Sequence, residues 1–220
     1  MSRYSRVDES AGGGEVKFLV AMIAALNLLP AATIVYTKSF PGSSPAYVSI
    51  KLDTSGEAEF NDSLTDDNVM RFKISQAESK AIFDLAEKLG HFTRPLESGL
   101  KVANMGMKTF RFEDGKIRND QKFNYSTEPE AQQLHDWFEK ITETELYLIN
   151  LEKCVRFDHL GVHKALLQLE AAWDRKRIVA PEQFLKMLDR VAKSDVYLNI
   201  ARDRAANMAD YIRGNVKPKA

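Results

Sequence analysis

The 220-residue sequence holds one cysteine and four histidines, and its 31 basic and 31 acidic side chains leave no net charge. A lone cysteine cannot close an internal disulfide, so a small disulfide-stapled fold is excluded. It does not exclude an oxidising compartment, where a buried thiol is inert. A zero charge balance supplies no global field for nucleic acid or an acidic substrate, and no nucleic-acid partner is expected. Motifs of reaction chemistry are missing too. AGGGE at 11–15 lacks the Lys-Ser/Thr and the preceding strand of a phosphate-binding loop, and no G-x-S-x-G occurs. Asp66 and Asp67 are adjacent in a polar stretch, the setting of solvated rather than catalytic carboxylates.

The scarce side chains gather in one place, CVRFDHLGVH, which runs from Cys154 to His163. A structural zinc site needs four ligands, commonly paired Cys or His. His159 and His163 are four apart and would share a helical face. The HxxxH spacing lacks the glutamate of the catalytic HExxH form, and Gly161 loosens the helix between the two. His91 and His135 are remote in sequence. The stretch therefore reads as structural. Asp158 is expected to cap the following helix, Cys154 to pack as a small apolar side chain, and the histidines to lie on the surface or in a groove. No catalytic, cofactor-binding or metal-ligating residue is expected, and no cofactor.

Against these absences stands one long apolar run, FLVAMIAALNLLPAATIVY, residues 18–36, with no charged side chain in 19 positions. As a helix it would measure about 28 Å, close to a hydrocarbon core of roughly 30 Å. Pro30 would kink it, which spanning helices tolerate, and Tyr36 suits an interface. Three readings compete. As a secretory signal the run is longer than the usual core of about 7–15 residues, and small-residue cleavage sites are poor. Pro30 sits at −3 for a cut after Ala32, and Ser44, Pro45 and Ala46 fit by size but lie far downstream. A buried core helix would need a polar face, which is absent. The preferred reading is an uncleaved single-pass anchor in the lipid bilayer, with Arg3, Arg6 and Lys17 holding the N-terminus inside.

The expected organisation is a tail over 1–17, the membrane helix or signal core over 18–36, and a Ser/Gly/Pro-rich linker over 37–46. An α+β domain over 47–144, a helical domain over 145–214 and a tail over 215–220 follow. In the α+β part, Val48, Ile50 and Leu52 alternate with polar neighbours as a half-buried strand. DTSG then turns the chain into a partner strand, EAEF. Met70, Phe72 and Ile74 mark a third strand. Ser75 and Glu78 form a capping box ahead of a helix through Ile82, Leu85 and Leu89, stopped at Gly90. Asp114 and Gly115 mark a hairpin. After STEPE, Leu134, Trp137, Phe138 and Ile141 share a helical face. The order is β-β-β-α-β-β-α, an antiparallel sheet with both helices on one face.

Tyr47, Ile50, Lys51, Leu52, Asp53 and Gly56, then F-x-I-S-x-x-E from Phe72 to Glu78, then the Asp114-Gly115 hairpin, resemble an uncharacterised family of bacterial envelope α+β domains. The resemblance covers about 47–144. It implies a small secreted or anchored module, and it adds no site. Typical members carry a Cys pair near the first strand, where this sequence has SSPAY.

Beyond Thr144 the signals are helical: Leu148, Leu151 and Val155; then Leu160, Leu166, Leu169 and Trp173; then Pro181 at a first helical position; then a helix capped by Ser194 or Asp195 and ended by Gly214. Residues 37–144 carry 14 basic and 18 acidic groups, and 145–220 carry 14 and 10; both surfaces read as solvated. The sequence thus anticipates a membrane-anchored, extracytoplasmic protein of a bacterial inner membrane, acting by binding with an unidentified protein partner. Its alternatives are a secreted or periplasmic form, an enzyme with a site between the two domains, and an assembly protein working through its C-terminal helices.

Overall fold

Hydrophobic alternation in six short segments builds the sheet on which the rest of the chain is laid. The computed structural model describes residues 31–65 and 69–214. The strands are β1 (Thr33–Ser39), β2 (Tyr47–Asp53), β3 (Glu57–Asn61), β4 (Met70–Lys73), β5 (Met107–Asp114) and β6 (Ile117–Phe123). They form one antiparallel sheet in the order β4-β3-β2-β1-β5-β6. Among the described residues five α-helices accompany it: α1 (Gln76–Lys88), α2 (Pro129–Phe157), α3 (Val162–Asp174), α4 (Leu185–Lys193) and α5 (Asn199–Ile212). The α+β class expected from the sequence is the one observed.

β1 corrects the reading of the apolar run. Residues 33–36 close that run, yet they form a strand hydrogen-bonded on both sides, with Tyr36 opposite Ile50 of β2 and Phe110 of β5. Ile34 and Tyr36 are fully buried, while Val35 points to the partly solvated face. Alternation of this kind is a strand's signature, and no lipid-facing helix includes these four residues. The linker expected over 37–46 is likewise shortened, because Thr37, Lys38 and Ser39 belong to the same strand. Residues 1–30, with most of the apolar run, lie outside the described residues. Among the described residues no helix is long and apolar enough to cross a membrane.

One sheet face is covered and the other is open. Ile34, Tyr36, Ile50, Leu52, Phe60 and Phe110 are buried beneath α1 and the N-terminal half of α2, where Ile82, Leu134, Phe138 and Ile141 meet them. On the open face Arg71 pairs with Glu59 at 3.0 Å and Lys73 with Glu57 at 2.7 Å. Such exposed pairs add little stability, but they keep the face wet. A slip of one residue would exchange the two faces, so burial fixes the register.

The expected capping box is present: Ser75 Oγ accepts from the Glu78 amide, and the Glu78 carboxylate accepts from the Ser75 amide. Gly90 follows α1 at φ 61. The β5–β6 hairpin closes Asp114 against Ile117, which puts Gly115 and Lys116 in the turn, with φ 56 at Gly115.

The boundary expected between Thr144 and Glu145 falls inside a continuous helix. α2 has 29 residues, about 43 Å at 1.5 Å per residue. Its first half packs on the sheet. Its second half joins α3–α5 in a second core through Leu151 and Val155, against Leu166, Leu169, Leu188 and Val191. Two expected caps are displaced. α3 begins at Val162, and Asp158 ends α2, its Oδ1 accepting the Gly161 amide at 3.0 Å. A Cβ at Gly161 would stand 2.3 Å from Asp158 Oδ2, so this tight corner, rather than a side-chain cap, decides where α3 starts. Ser194 caps the C-terminus of α4, and α5 starts at Asn199 without a side-chain cap, because the buried ring of Tyr197 takes up the intervening turn.

The place of β1 gives a direct test. A chain starting at Ala31 should unfold cooperatively. One starting at Tyr47 loses two fully buried side chains, each contributing about 1.5–3 kcal/mol, and every β1 hydrogen bond, against a total stability of about 5–15 kcal/mol. Thermal melts of both should give a sigmoid for the first and none for the second; a cooperative transition in the shorter chain would remove β1 from its central role.

Candidate functional site

The polar groups of the first module converge where β1 and β5 run out beneath α2. Because β1 alternates, Tyr36 and Lys38 point to the same covered face as Ile34. Because α2 is regular, His135 and Glu139, four residues apart, meet them together. The Tyr36 ring stacks on Phe138 with centroids 4.8 Å apart. Its hydroxyl donates to Glu139 Oε1 at 3.0 Å and lies 3.2 Å from His135 Nδ1. Lys38 Nζ donates to both oxygens of Glu139, at 3.1 and 2.9 Å. A phenol has one proton. With that proton on Glu139, His135 Nδ1 must carry its own and donate it to the Tyr36 oxygen, which leaves Nε2 as a lone pair. Burial pushes His135 down to about 4, a fall that Glu139 opposes and that Lys108 and Lys38 reinforce. Burial works to raise Glu139, but the Lys38 ammonium prevails and holds it below the ordinary carboxylate range.

Lys108 lies on β5, beside Lys38 in the register. It is 3% exposed, and its ammonium donates to three carbonyls: Gly106 at 2.9 Å, Asn124 at 2.8 Å and Met105 at 3.4 Å. Burial lowers its pKa, and the neighbouring Lys38 lowers it further. The carbonyls belong to the 14-residue connection between Phe92 and Met107 and to the end of β6. Loops this long without regular structure are commonly functional. This one is fastened to the residues after β6. The Asn124 side chain accepts from the Met105 amide and donates to the Ala103 carbonyl, and the Glu97 carboxylate accepts the Asn124 amide at 2.6 Å.

Between loop, sheet and helix lies a pocket of about 340 Å³, lined by Lys38, Met105, Lys108, Phe123, Gln132 and His135 among others. Among the described residues no carboxylate lines it. Gln132 donates to the Tyr125 hydroxyl and the Ser126 carbonyl at the entry to α2. That helix start has no side-chain cap, so its positive end adds to the lysine charge.

Two further clusters lie along α2. Arg177, in the loop after α3, donates to both oxygens of Glu143 at 2.8 and 3.0 Å and to Asp136 at 2.5 Å. The clamp folds that loop back on α2, where the Val179 amide donates to Thr144 Oγ1 and the Val179 side chain enters the first core. Next to it Glu145 is fully buried. Gln183 donates to its Oε1 at 3.0 Å, and Oε2 has no hydrogen-bond partner. Burial pushes this carboxyl up to about 7, against the modest opposing pull of Gln183.

The CVRFDHLGVH stretch spans the end of α2 and the start of α3. The exposed His159 ring contacts Tyr197 edge-on at 5.2 Å, and Tyr197 donates to the Val155 carbonyl at 3.2 Å. Cys154 is partly buried, and burial raises its thiol pKa. Among the described residues no three His, Cys, Asp or Glu side chains are grouped to hold a metal ion. The structure thus brings together residues that sequence reasoning had scattered: Tyr36 to a membrane interface, Lys38 to a linker and His135 to an unrelated helix. The i, i+4 spacing of His135 and Glu139, not used in the sequence reading, was a signal that could have pointed to two of the site's residues. Compared with known proteins, the chain matches no family model and no curated sequence.

Glu145 sets a pH dependence. Folded, it keeps until about pH 7 the proton that an ordinary glutamate releases near 4.5. The folded state therefore binds more protons across that window, and stability falls as pH rises through it, by roughly 3 kcal/mol at 1.36 kcal/mol per pKa unit. His135 acts oppositely between about 4 and its ordinary 6.5. Comparison of wild type with Glu145→Gln isolates the glutamate. The variant should match wild type at pH 5 and exceed it by a few kcal/mol at pH 8 in chemical denaturation; equal stability at both pH values would refute a buried, proton-holding Glu145.

Proposed function

We propose that the protein acts by binding, through the pocket beneath the 93–106 loop, on the extracytoplasmic side of a bacterial inner membrane. The observation that carries binding over catalysis is the state of the pocket's polar groups. Lys38 is held by Glu139, Lys108 by three carbonyls and Asn124 by the loop. The one hydroxyl beside His135 and Glu139 among these residues is that of Tyr36, which is fully buried and donates to Glu139, and His135 is kept neutral well below the range useful to a general base at neutral pH. Such a site is preorganised to recognise rather than to react.

Support for the location comes from the sequence ahead of β1. The uncharged run before Thr33 comprises residues 18–32, about 22 Å if helical. That is short for a span of about 17–25 residues, while the sites for cleavage after Ala31 or Ala32 remain poor. A short, uncleaved signal-anchor reconciles the two. Cleavage at Ser44–Ala46 would remove β1.

A second reading, assembly through the helical half, is favoured by its exposed apolar side chains. Phe157 is 80% and Leu160 76% exposed between α2 and α3, and Val196, Leu198 and Ile200 are exposed on either side of Tyr197, which bonds the Val155 carbonyl. Exposed apolar side chains of this size mark interaction surfaces where they gather. A second copy of this chain is the simplest partner. Sedimentation equilibrium of the 31–214 segment should then give a dimer that Leu160→Ser and Phe157→Ser dissociate; a monomer at all concentrations would dismiss this reading.

For the main reading, full-length protein is taken from carbonate-washed membranes, and its bound small molecules are extracted and identified by mass spectrometry. The protein should stay in the pellet and release a molecule that rebinds and is recovered chemically unchanged. Recovery of a converted product would establish catalysis instead, and a carbonate-soluble form beginning at or before Thr33 would establish secretion.

A further inference from the structure

The charge of the pocket names a ligand class. Resting on the binding reading above, we infer that the pocket takes a small organic anion, a carboxylate or phosphate monoester on an apolar body, with the anion at Lys38 and the body along Met105 and Phe123.

Among the described residues, two lysines and no carboxylate line the cavity. Glu139, 27% exposed and outside the described lining residues, pairs with one of them, Lys38, and the Lys108 ammonium donates only to carbonyls among the described residues. Hydrogen-bond accounting separates their roles. All three protons of Lys108 are committed to carbonyls, so it contributes field rather than contact. Lys38 spends two protons on Glu139 and keeps the third, and its side chain is 25% exposed. Lys38 is therefore the direct donor. The low dielectric around a 3%-exposed ammonium strengthens its pull on an anion over a few ångströms. A cation would meet that field with the opposite sign. A fully polar anion would leave the Met105 and Phe123 surfaces wet, whereas an apolar body covers them. At about 340 Å³ the cavity stands at the lower end of small-ligand sites, roughly 300–1,000 Å³, which suits a short chain or a single ring.

The test uses the full chain in detergent and four probes of matched length: octanoate, octyl phosphate, octanol and octylammonium, with inorganic phosphate as a fifth. Isothermal titration is repeated on Gln132→Glu and Lys108→Met. Gln132 is exposed at the pocket, so Gln132→Glu sets a negative charge there without disturbing a core. Octanoate or octyl phosphate should bind at least about tenfold more tightly than octanol, and octylammonium should not bind. Which of the two anions binds more tightly tells carboxylate from phosphate. Gln132→Glu should weaken the anion about tenfold or more, while the loss of its donor bonds to Tyr125 and Ser126 lowers the melting temperature only modestly and leaves a cooperative transition. Lys108→Met should weaken the anion similarly where it folds; Gln132→Glu decides where it does not. Equal binding of octanol and octanoate would overturn the anion class while leaving binding intact. Binding of inorganic phosphate as tight as that of octyl phosphate would overturn the apolar body. Binding of none of the probes would overturn the ligand class, and the binding reading would then stand or fall on the extracted molecule alone.

Discussion

The whole arrangement hangs on the pairing of β1 at the centre of the sheet. β2 and β5 are separated in sequence by more than fifty residues and meet only through β1, which bonds to both along its full length. Two-sided pairing leaves neither edge of β1 to water, and its covered face buries Ile34 and Tyr36 completely, the Tyr36 hydroxyl satisfied by Glu139. It also fixes the position of Lys38, two residues on, at the point where the apolar face gives way to the pocket. The core and the site are set by one register. A shift of β1 by one residue would bury Val35 and Thr37 and carry both Tyr36 and Lys38 away from α2.

α2 extends that constraint to the rest of the chain. A helix of 29 residues gains stability mainly from what its faces bury, and α2 has two different partners along its length. Its Leu134, Phe138 and Ile141 serve the sheet, and its Leu151 and Val155 serve the helical half. The seam between them is where polar groups collect. Arg177 reaches back to Asp136 and Glu143, Thr144 takes the Val179 amide, and Glu145 is enclosed. A charged clamp on a partly exposed surface fixes geometry more than it adds stability. Here it seats Val179 and Ala180 in the first core, so the loop of one half closes the core of the other.

Much of this was legible in the sequence because local chemistry and global fold agree. The strands at 47–53 and 70–73, the Ser75–Glu78 box, the Gly115 turn and the apolar face of Leu134, Phe138 and Ile141 all follow from period and capping. β1 was not legible, for a physical reason. Ala31, Ala32, Thr33, Ile34, Val35 and Tyr36 continue an uncharged stretch, and a central strand flanked by such residues loses the polar alternation that would separate it from what precedes it. The boundary expected after Thr144 rests on the end of strand signals there, and α2 runs through it. In the structure Thr142, Thr144 and Glu145 are buried within the helix, the threonines bonding the carbonyls of Phe138 and Lys140 four residues back. The caps at Asp158 and Ser194 were misread because a good capping residue says that a turn is near, not which helix owns it.

The site was hidden by the same zero balance that excluded a global field. Net charge sums over the surface, whereas recognition depends on which charges share a cavity. Lys38 and Lys108 adjoin across β1 and β5, Glu139 pairs with Lys38, and Glu97 accepts the Asn124 amide beside Lys108. Placing two ammonium groups side by side is unfavourable, and it is tolerated because each is satisfied by other means, one by a carboxylate and one by three carbonyls. The consequence reaches His135. With Lys38 and Lys108 near it and its own Nδ1 proton given to Tyr36, it cannot become a third cation at neutral pH, and its Nε2 lone pair can only accept. The geometry therefore sorts one side of the pocket for negative charge and leaves the imidazole for a donor such as a hydroxyl or amide proton. A ligand that offered both would use every uncommitted polar group that these residues present.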